Sequence, residues 1–228
     1  MTFSILVRDP ETGALGGAAA TGSLCVGGWV LRGDIRAGLS ASQGAAPSTF
    51  WGEDVLTRMR AGRPADAAVA EVTGADPGRA ARQLSALDLS GQGAHFTGAD
   101  NTPQMAGSLF PQGVAAGNML ADAGVVDALA EGFAAATGPL SLRLLAGLRA
   151  AEAAGSDSRG LLSAALLVLR HDHAPLTLRI DYHEGDPIGA LEALHDRATS
   201  GAYADWARQV PSPEDPTRVL DRLPPARG

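Results

Sequence analysis

The fold of this chain is decided by the stretch Thr2-Phe3-Ser4-Ile5-Leu6-Val7-Arg8-Asp9-Pro10-Glu11-Thr12-Gly13. Its most apolar side chains recur at every second position from Phe3 to Val7, which predicts a strand with one face turned to a core. The proline fixes φ and the glycine supplies a positive φ, so the end of the stretch favours a turn. We therefore expect residues 14–21 to return as a second strand of a hairpin.

The composition describes an acidic chain without lysine. The 228 residues carry a net charge of -7, and all 18 Lys+Arg residues are arginine. This balance disfavours nucleic acid and anionic membranes as partners. Neither a signal peptide nor a transmembrane helix is recognisable, so we expect a cytoplasmic protein. The missing lysine excludes Schiff-base chemistry and a lysine general base.

The remaining pattern alternates between strands and paired helices. We predict helices at 48–60, 64–74, 124–136, 140–154 and 187–198, and strands at 37–43, 83–89, 93–97, 113–119, 161–170 and 176–182. This order predicts an α+β fold, a four-layer αββα sandwich with two antiparallel sheets between helix layers. We expect a single domain over 1–210 and a tail rich in proline and charge over 211–228.

Such a sandwich is the architecture of the N-terminal-nucleophile hydrolases, and short motifs make the similarity specific. They are Thr2-Phe3-Ser4-Ile5, Arg8-Asp9-Pro10-Glu11-Thr12-Gly13, Val26-Gly27, Asp76-Pro77-Gly78-Arg79, Arg82-Gln83, Thr97-Gly98, Gly117-Asn118-Met119-Leu120 and Ser163-Ala164-Ala165-Leu166. On these motifs the chain resembles the family called domain of unknown function 1028, which has that fold. The resemblance implies the sandwich but no particular reaction, because the family has no assigned one.

Thr2 is the first candidate catalytic residue. Methionine is commonly removed before a residue as small as threonine, and removal would leave a hydroxyl and a free α-amine on one residue. That amine has an ordinary pKa close to neutral pH, so it can accept the hydroxyl proton. We predict an amide-bond hydrolase with Thr2 as nucleophile and an unknown small-molecule substrate. An ordinary Met-Thr start without a catalytic role is the alternative.

Four further residues are candidates for the site. Asn118 ends a short strand, where its amide could stabilise an oxyanion or simply hold a turn. Ser42 and Gln43 lie on a strand of small residues and could contact substrate in a cleft, or pack a tight sheet. Arg159 could bind a substrate carboxylate through both guanidinium nitrogens, or pair with Asp157.

The missing lysine also affects the proposed nucleophile. In the proteasome-like branch of the N-terminal-nucleophile fold, a lysine commonly lowers the pKa of the threonine. Here an arginine such as Arg32 or Arg36, or bound water, would have to substitute. Arginine supplies a positive field but cannot transfer a proton, because it stays charged at any working pH.

Two other functions stay open at this point. The same cleft could bind a small ligand without catalysis. Alternatively, a hairpin could bring His171, His173 and His183 together as a metal site for a metal-assisted hydrolase, although such histidines are also common in solvated loops. Cys25 has apolar neighbours and no partner cysteine, which is typical of an inert core residue.

Two expectations concern partners and cofactors. The glycine pairs follow neither a phosphate-loop nor a dinucleotide spacing, so we expect no nucleotide cofactor. Aromatic residues near Trp29, Trp51 and the segment 203–206 predict exposed apolar surface. Because a small acidic monomer rarely exposes that much, we predict a homodimer.

Overall fold

The computed structural model describes residues 2–156 and 160–220. The strands are β1 Thr2–Arg8, β2 Leu15–Thr21, β3 Leu31–Asp34, β4 Gly38–Gly44, β5 Arg82–Asp88, β6 Gly93–Thr97, β7 Met105–Phe110, β8 Gly113–Asn118, β9 Ser163–Leu169 and β10 Leu176–Ile180. The helices are α1 Val26–Trp29, α2 Thr49–Arg60, α3 Ala65–Gly74, α4 Val125–Ala135, α5 Leu140–Ala153, α6 Pro187–Ala198 and α7 Gly201–Ala207, with a 3₁₀ turn at Arg79–Ala81.

The strands form two antiparallel sheets. The larger sheet has the order β10-β9-β2-β1-β8-β7, and the smaller one has the order β3-β4-β5-β6. β1 therefore lies inside the larger sheet, between its hairpin partner β2 and the distant strand β8. The mixed α/β class with antiparallel sheets is as predicted.

The predicted turn closes the first hairpin. The Asp9 N–H donates to the Ala14 carbonyl at 2.8 Å, and the Gly13 N–H donates to the Asp9 carbonyl at 2.9 Å. Gly13 has a φ of 71°, the left-handed conformation that glycine adopts at no steric cost. This turn sets the register in which Arg8 faces Leu15 and Thr2 faces Thr21.

Three apolar clusters use both faces of each sheet. Phe3 and Ile5 on β1 pack with Leu129 of α4 and with residues of α5. Leu6, on the opposite face of β1, belongs to a cluster with Leu39 of the smaller sheet. A third cluster joins the other face of the smaller sheet to α2 and α3. The predicted inward face of β1, from Phe3 to Val7, is confirmed, but the alternate face is buried as well.

Several predictions need correction. Trp51, expected at the surface, is only 4% exposed because it lies on the buried face of α2 with Val55. The sequence did not predict β3 and β7. Both are edge strands, and the conformation of each depends on pairing with its neighbouring strand more than on its own residues. The short helices α1 and α7 were also missed. No helix among the described residues is long and apolar enough to cross a membrane.

Candidate functional site

A row of polar residues crosses the ends of four strands in the larger sheet. Thr2 on β1 lies opposite Thr21 on β2 and opposite Asn118 on β8, and Thr21 lies opposite Ser163 on β9. Directly opposed residues point their side chains to the same face of a sheet. Leu6 follows Thr2 at strand spacing and packs against the smaller sheet, so the row faces the space between the sheets.

The Thr2 side chain is held in a defined position. It is 8% exposed, and its hydroxyl donates to the Thr21 hydroxyl over 3.1 Å. Its carbonyl accepts a hydrogen bond of 3.2 Å from the Gln43 amide on β4. The first residue of β1 is thus attached to both sheets, which fixes its hydroxyl at the strand end.

Asn118 is the most unusual residue of the row. Its side chain is completely buried, yet neither its amide nitrogen nor its amide oxygen has a hydrogen-bond partner in the described structure. A buried amide without partners costs stability, so such a group calls for an explanation. The next residue, Met119, has a φ of 56°, and its N–H donates to the Asn101 carbonyl. The strand therefore ends immediately after a buried amide that has no partner in the described structure.

Gln43 and Ser42 point to opposite faces of β4. The Gln43 amide nitrogen lies 2.7 Å from the Gln83 amide oxygen, and the Gln43 oxygen accepts from the Ser4 hydroxyl at 2.8 Å. Ser42 instead donates to the Ser48 carbonyl at 2.6 Å, beside α2. Gln43 therefore belongs to the space between the sheets, whereas Ser42 does not line it.

Thr2 and Thr21 of this row line a cavity of about 350 Å³, whereas Asn118 and Ser163 are not among its lining residues. Thr2, Thr21 and Gln43 lie on its polar side. Its lining residues are Thr2, Thr21, Ser23, Leu24, Val26, Trp29, Val30, Gln43, Gly44, Ala45, Pro47 and Met119. This volume lies at the lower end of the usual range for small-molecule sites, about 300–1,000 Å³. The cavity can hold a small molecule against the Thr2 hydroxyl.

None of the described residues that line this cavity is charged. Arg32, which pairs with Ser40 on β4, contacts Glu53 of α2 at 3.7 Å. Arg36 is exposed and bonded to Asp34. The two arginines expected to support the nucleophile are therefore engaged elsewhere.

Arg159 and its expected partner Asp157 lie outside the described residues. The described chain on either side is fixed at the strand ends: the Ala121 N–H donates to the Ser156 carbonyl, and the Leu162 N–H donates to the Thr21 carbonyl. The substrate-binding role of Arg159 stays a prediction.

The alternative in which the histidines meet at a metal site is not supported by their positions. His171 and His173 lie in the turn between β9 and β10, whereas His183 follows the far end of β10. The ring of His183 accepts from the Gly185 and Asp186 N–H groups instead. Across the described parts of the chain, no group of three or more His, Cys, Asp or Glu side chains is placed to hold a metal ion.

Sequence reasoning missed Thr21 and Ser163. The Ser163 hydroxyl accepts from the Val26 N–H at 3.1 Å and donates to the Ser23 carbonyl at 2.8 Å, so it fixes the loop that leads into α1. The signal for Thr21 was present, because the length of the first turn already sets Thr2 opposite Thr21. The partners of β9 give no comparable local signal.

Comparison with known proteins gives the following similarities. The profile described as "Family of unknown function (DUF1028)" matches residues 2–191. The crystal structure of protein SPO2555 from Silicibacter pomeroyi, with the same family description, is 59% identical with a TM-score of 0.94, covering 100% of this chain and 99% of that chain. Anbu (ancestral beta-subunit) from Yersinia bercovieri is 12% identical over 89% of this chain and 97% of that chain, with a TM-score of 0.37, too low to indicate a shared fold. No curated protein matches.

Proposed function

The chain belongs to the DUF1028 family, whose function is unknown, and we propose that it is an amide-bond hydrolase with Thr2 as its nucleophile. The observation that carries this proposal is the pairing of Thr2 with Asn118. A hydroxyl that lines a cavity lies directly across from a buried amide without a partner in the described structure. A nucleophile beside an unused hydrogen-bond donor is the arrangement that acyl transfer requires.

The reaction begins once Met1 has been removed. The Thr2 hydroxyl attacks the substrate carbonyl carbon, and the free α-amine of Thr2 takes the hydroxyl proton. The Asn118 amide N–H donates to the oxyanion that forms on the carbonyl oxygen. The C–N bond then breaks, the leaving amine receives the proton from the α-amine, and an ester of Thr2 remains. A water molecule hydrolyses this ester, with the α-amine again serving as the base.

The fold contributes the rigidity of the site. We infer a four-layer αββα sandwich of the N-terminal-nucleophile type, in a single domain over 1–210. The three apolar clusters support it, because each joins a different pair of neighbouring layers. In such a sandwich Gln43 can bind the Thr2 carbonyl from the second sheet. The nucleophile then keeps one position while substrate binds and product is released.

The experiment compares two forms of the protein in which the Thr2 nitrogen is either a free α-amine or part of a peptide bond. One form is released from a cleavable leader so that it starts at Thr2, and the other keeps one glycine before Thr2. Intact mass verifies each N-terminus. We expect a panel of small amides and acylated amino acids to be hydrolysed by the first form and not by the second. Equal turnover by both forms would show that the α-amine is not the base.

Variants of the first form test the two side chains. Thr2→Ala should abolish turnover, whereas Thr2→Ser should retain part of it because the hydroxyl remains. Asn118→Ala should lower kcat by about 10²–10³-fold, the usual effect of losing one oxyanion donor. Turnover by Thr2→Ala equal to that of the parent would exclude Thr2 as nucleophile.

A second function is supported by the uncharged lining of the cavity. With Arg32 and Arg36 engaged elsewhere, the described residues that line the cavity offer no positively charged side chain to lower the pKa of the Thr2 hydroxyl. A protein of this kind could bind a small ligand without converting it. Saturable binding to the form that starts at Thr2, with no turnover of any amide, would favour this function.

A further inference from the structure

We propose that the ligand of the Thr2 cavity presents an uncharged aromatic or branched aliphatic group, which packs against Trp29. This proposal rests on the function proposed above, because it names the substrate class of the same site. It is supported by the composition of the cavity wall, by the exposure of Trp29 and by the way in which α1 is fixed.

The wall of the cavity divides into a polar side and an apolar side. Thr2, Thr21 and Gln43 provide hydroxyl and amide groups on one side. Leu24, Val26, Trp29, Val30, Pro47 and Met119 provide the apolar contacts. A polar edge that orients a ligand within a mainly apolar wall is typical of small-molecule sites. The amide of a substrate suits the polar side, and an apolar substituent suits the other.

The apolar side is also exposed to solvent. Trp29 is 52% exposed and Leu24 is 54% exposed, although both line the cavity. About half of the Trp29 side chain is exposed to water. A ligand that covers this apolar area gains a binding free energy of about 25 cal/mol per Å².

The backbone that carries Trp29 is firmly fixed. The Trp29 N–H donates to the Cys25 carbonyl at 3.1 Å, and the Cys25 N–H donates to the Asp181 carbonyl at 3.0 Å. Gly27 packs so closely on the sheet that an added Cβ would lie 2.8 Å from the Cβ of Ala165. The exposed indole therefore sits on a rigid support, and such preorganisation lowers the entropy cost of binding.

The charges near the cavity disfavour an ionic ligand. Arg179, which packs against Gly27 and Gly28 of α1, donates to Asp181 through Nε at 3.1 Å and Nη2 at 2.9 Å. An ionic group placed in the cavity would lose water without gaining a charged side-chain partner from the described lining, and the α-amine of Thr2 is uncharged when it acts as the base. Neutral ligands avoid that cost.

The test measures binding separately from catalysis. A Thr2→Ala form that starts at residue 2 is titrated by calorimetry with three neutral-backbone probes: N-acetylphenylalaninamide, N-acetylargininamide and N-acetylaspartic acid α-amide. We expect the phenylalanine probe to bind on the order of tenfold more tightly than either charged probe. Equal or tighter binding of a charged probe would overturn the proposal.

A pair of tryptophan variants tests the role of Trp29. Trp29→Ala should weaken binding of the phenylalanine probe by about 2- to 12-fold, the range of one aromatic contact. Trp206→Ala, the matched control on α7, should leave it unchanged, because Trp206 does not line the cavity. Equal affinities of the two variants would also overturn the proposal.

The outcomes separate this proposal from the hydrolase function. Preference for the phenylalanine probe in Thr2→Ala, combined with no hydrolysis by the form that starts at Thr2, would reject the hydrolase and keep the ligand class. Hydrolysis of charged and apolar amides at equal rates would keep the hydrolase and reject the ligand class.

Discussion

Replacing Gln83 with leucine should weaken the connection between the two sheets. Gln83 is fully buried, and its amide nitrogen lies 2.9 Å from the Gly117 carbonyl on β8. Its amide oxygen accepts from the Gln43 amide at 2.7 Å. Leucine fills a similar volume but removes these bonds, and it also removes the bonds from the Gln83 amide nitrogen to the Thr97 hydroxyl and the Ala106 carbonyl. The Gln43 amide keeps the Thr2 carbonyl as an acceptor. At about 1–3 kcal/mol for each group left unsatisfied, offset in part by the apolar side chain, we expect a loss of about 3 kcal/mol.

Urea titration and thermal melting measure this loss. For a chain of this size, about 3 kcal/mol corresponds to a fall in Tm of about 6–12 °C. Gln209→Leu is the matched control, because Gln209 is exposed and its side-chain amide donates to the Asp205 carbonyl of its own helical segment. It should change the free energy of unfolding by less than about 0.5 kcal/mol. A loss below about 1 kcal/mol for Gln83→Leu would refute the reasoning.

A double-mutant cycle isolates the contact between the two glutamines. Gln43→Leu alone should also destabilise the protein, because it removes the Gln43 amide group. That group bonds the Gln83 oxygen, the Ser4 hydroxyl and the Thr2 carbonyl. The double variant should lose less stability than the two single variants added together, by about 0.5–3 kcal/mol. The reason is that neither glutamine then remains without its partner. Strict additivity would show that the 2.7 Å contact contributes nothing.

Three further predictions address packing, pH and assembly. Gly27→Ala should lower the free energy of unfolding, measured by urea titration, by about 1–3 kcal/mol, because the new Cβ would lie 2.7 Å from a side-chain carbon. A Cβ at Gly74 would meet nothing within 4 Å, so Gly74→Ala should be tolerated. Equal losses for the two variants would contradict this. The hydrogen bond from Arg149 lowers the pKa of Asp186 below its ordinary 3.8, so the stability it contributes is present above pH 3.8 and is lost as the pH falls through the lowered pKa. The difference in stability between the parent and Arg149→Met should therefore shrink on acidification, and an undiminished difference at low pH would contradict it. Light scattering should give twice the chain mass of 23.1 kDa, with the exposed aromatic residues of α7 as the candidate interface; the mass of a single chain would refute the dimer.

The parts of the fold that depend on local sequence could be predicted. The Pro and Gly of the first turn define the β1–β2 hairpin, and α6 was predicted with the observed bounds. The position of β8 beside β1 could not be predicted, because about a hundred residues separate Thr2 from Asn118. No local pattern encodes a pairing over that distance.

The errors in the predicted site and in the predicted surface residues have identifiable physical origins. Ser42 and Gln43 are adjacent on a strand, so only one of them could face the cavity, and alternation alone should have separated them. Trp51, Val55 and Met59 are spaced by four residues, which indicates the buried face of a helix. The alternative histidine site fails because β10 runs away from the turn, which places His183 at the opposite end of the strand from His171 and His173. For the serine–glutamine pair and for the tryptophan, the periodicity was present in the sequence.

The central position of β1 has a consequence for synthesis of the protein. β2 ends at Thr21, but β8 begins only at Gly113, about 90 residues later. At about 5–20 residues per second, the ribosome needs roughly 5–18 seconds to deliver that second neighbour. During this interval one edge of β1 has no neighbouring strand. In the folded protein Thr2 is 8% exposed, so we expect modification of this residue to be faster on the nascent chain than on the folded protein.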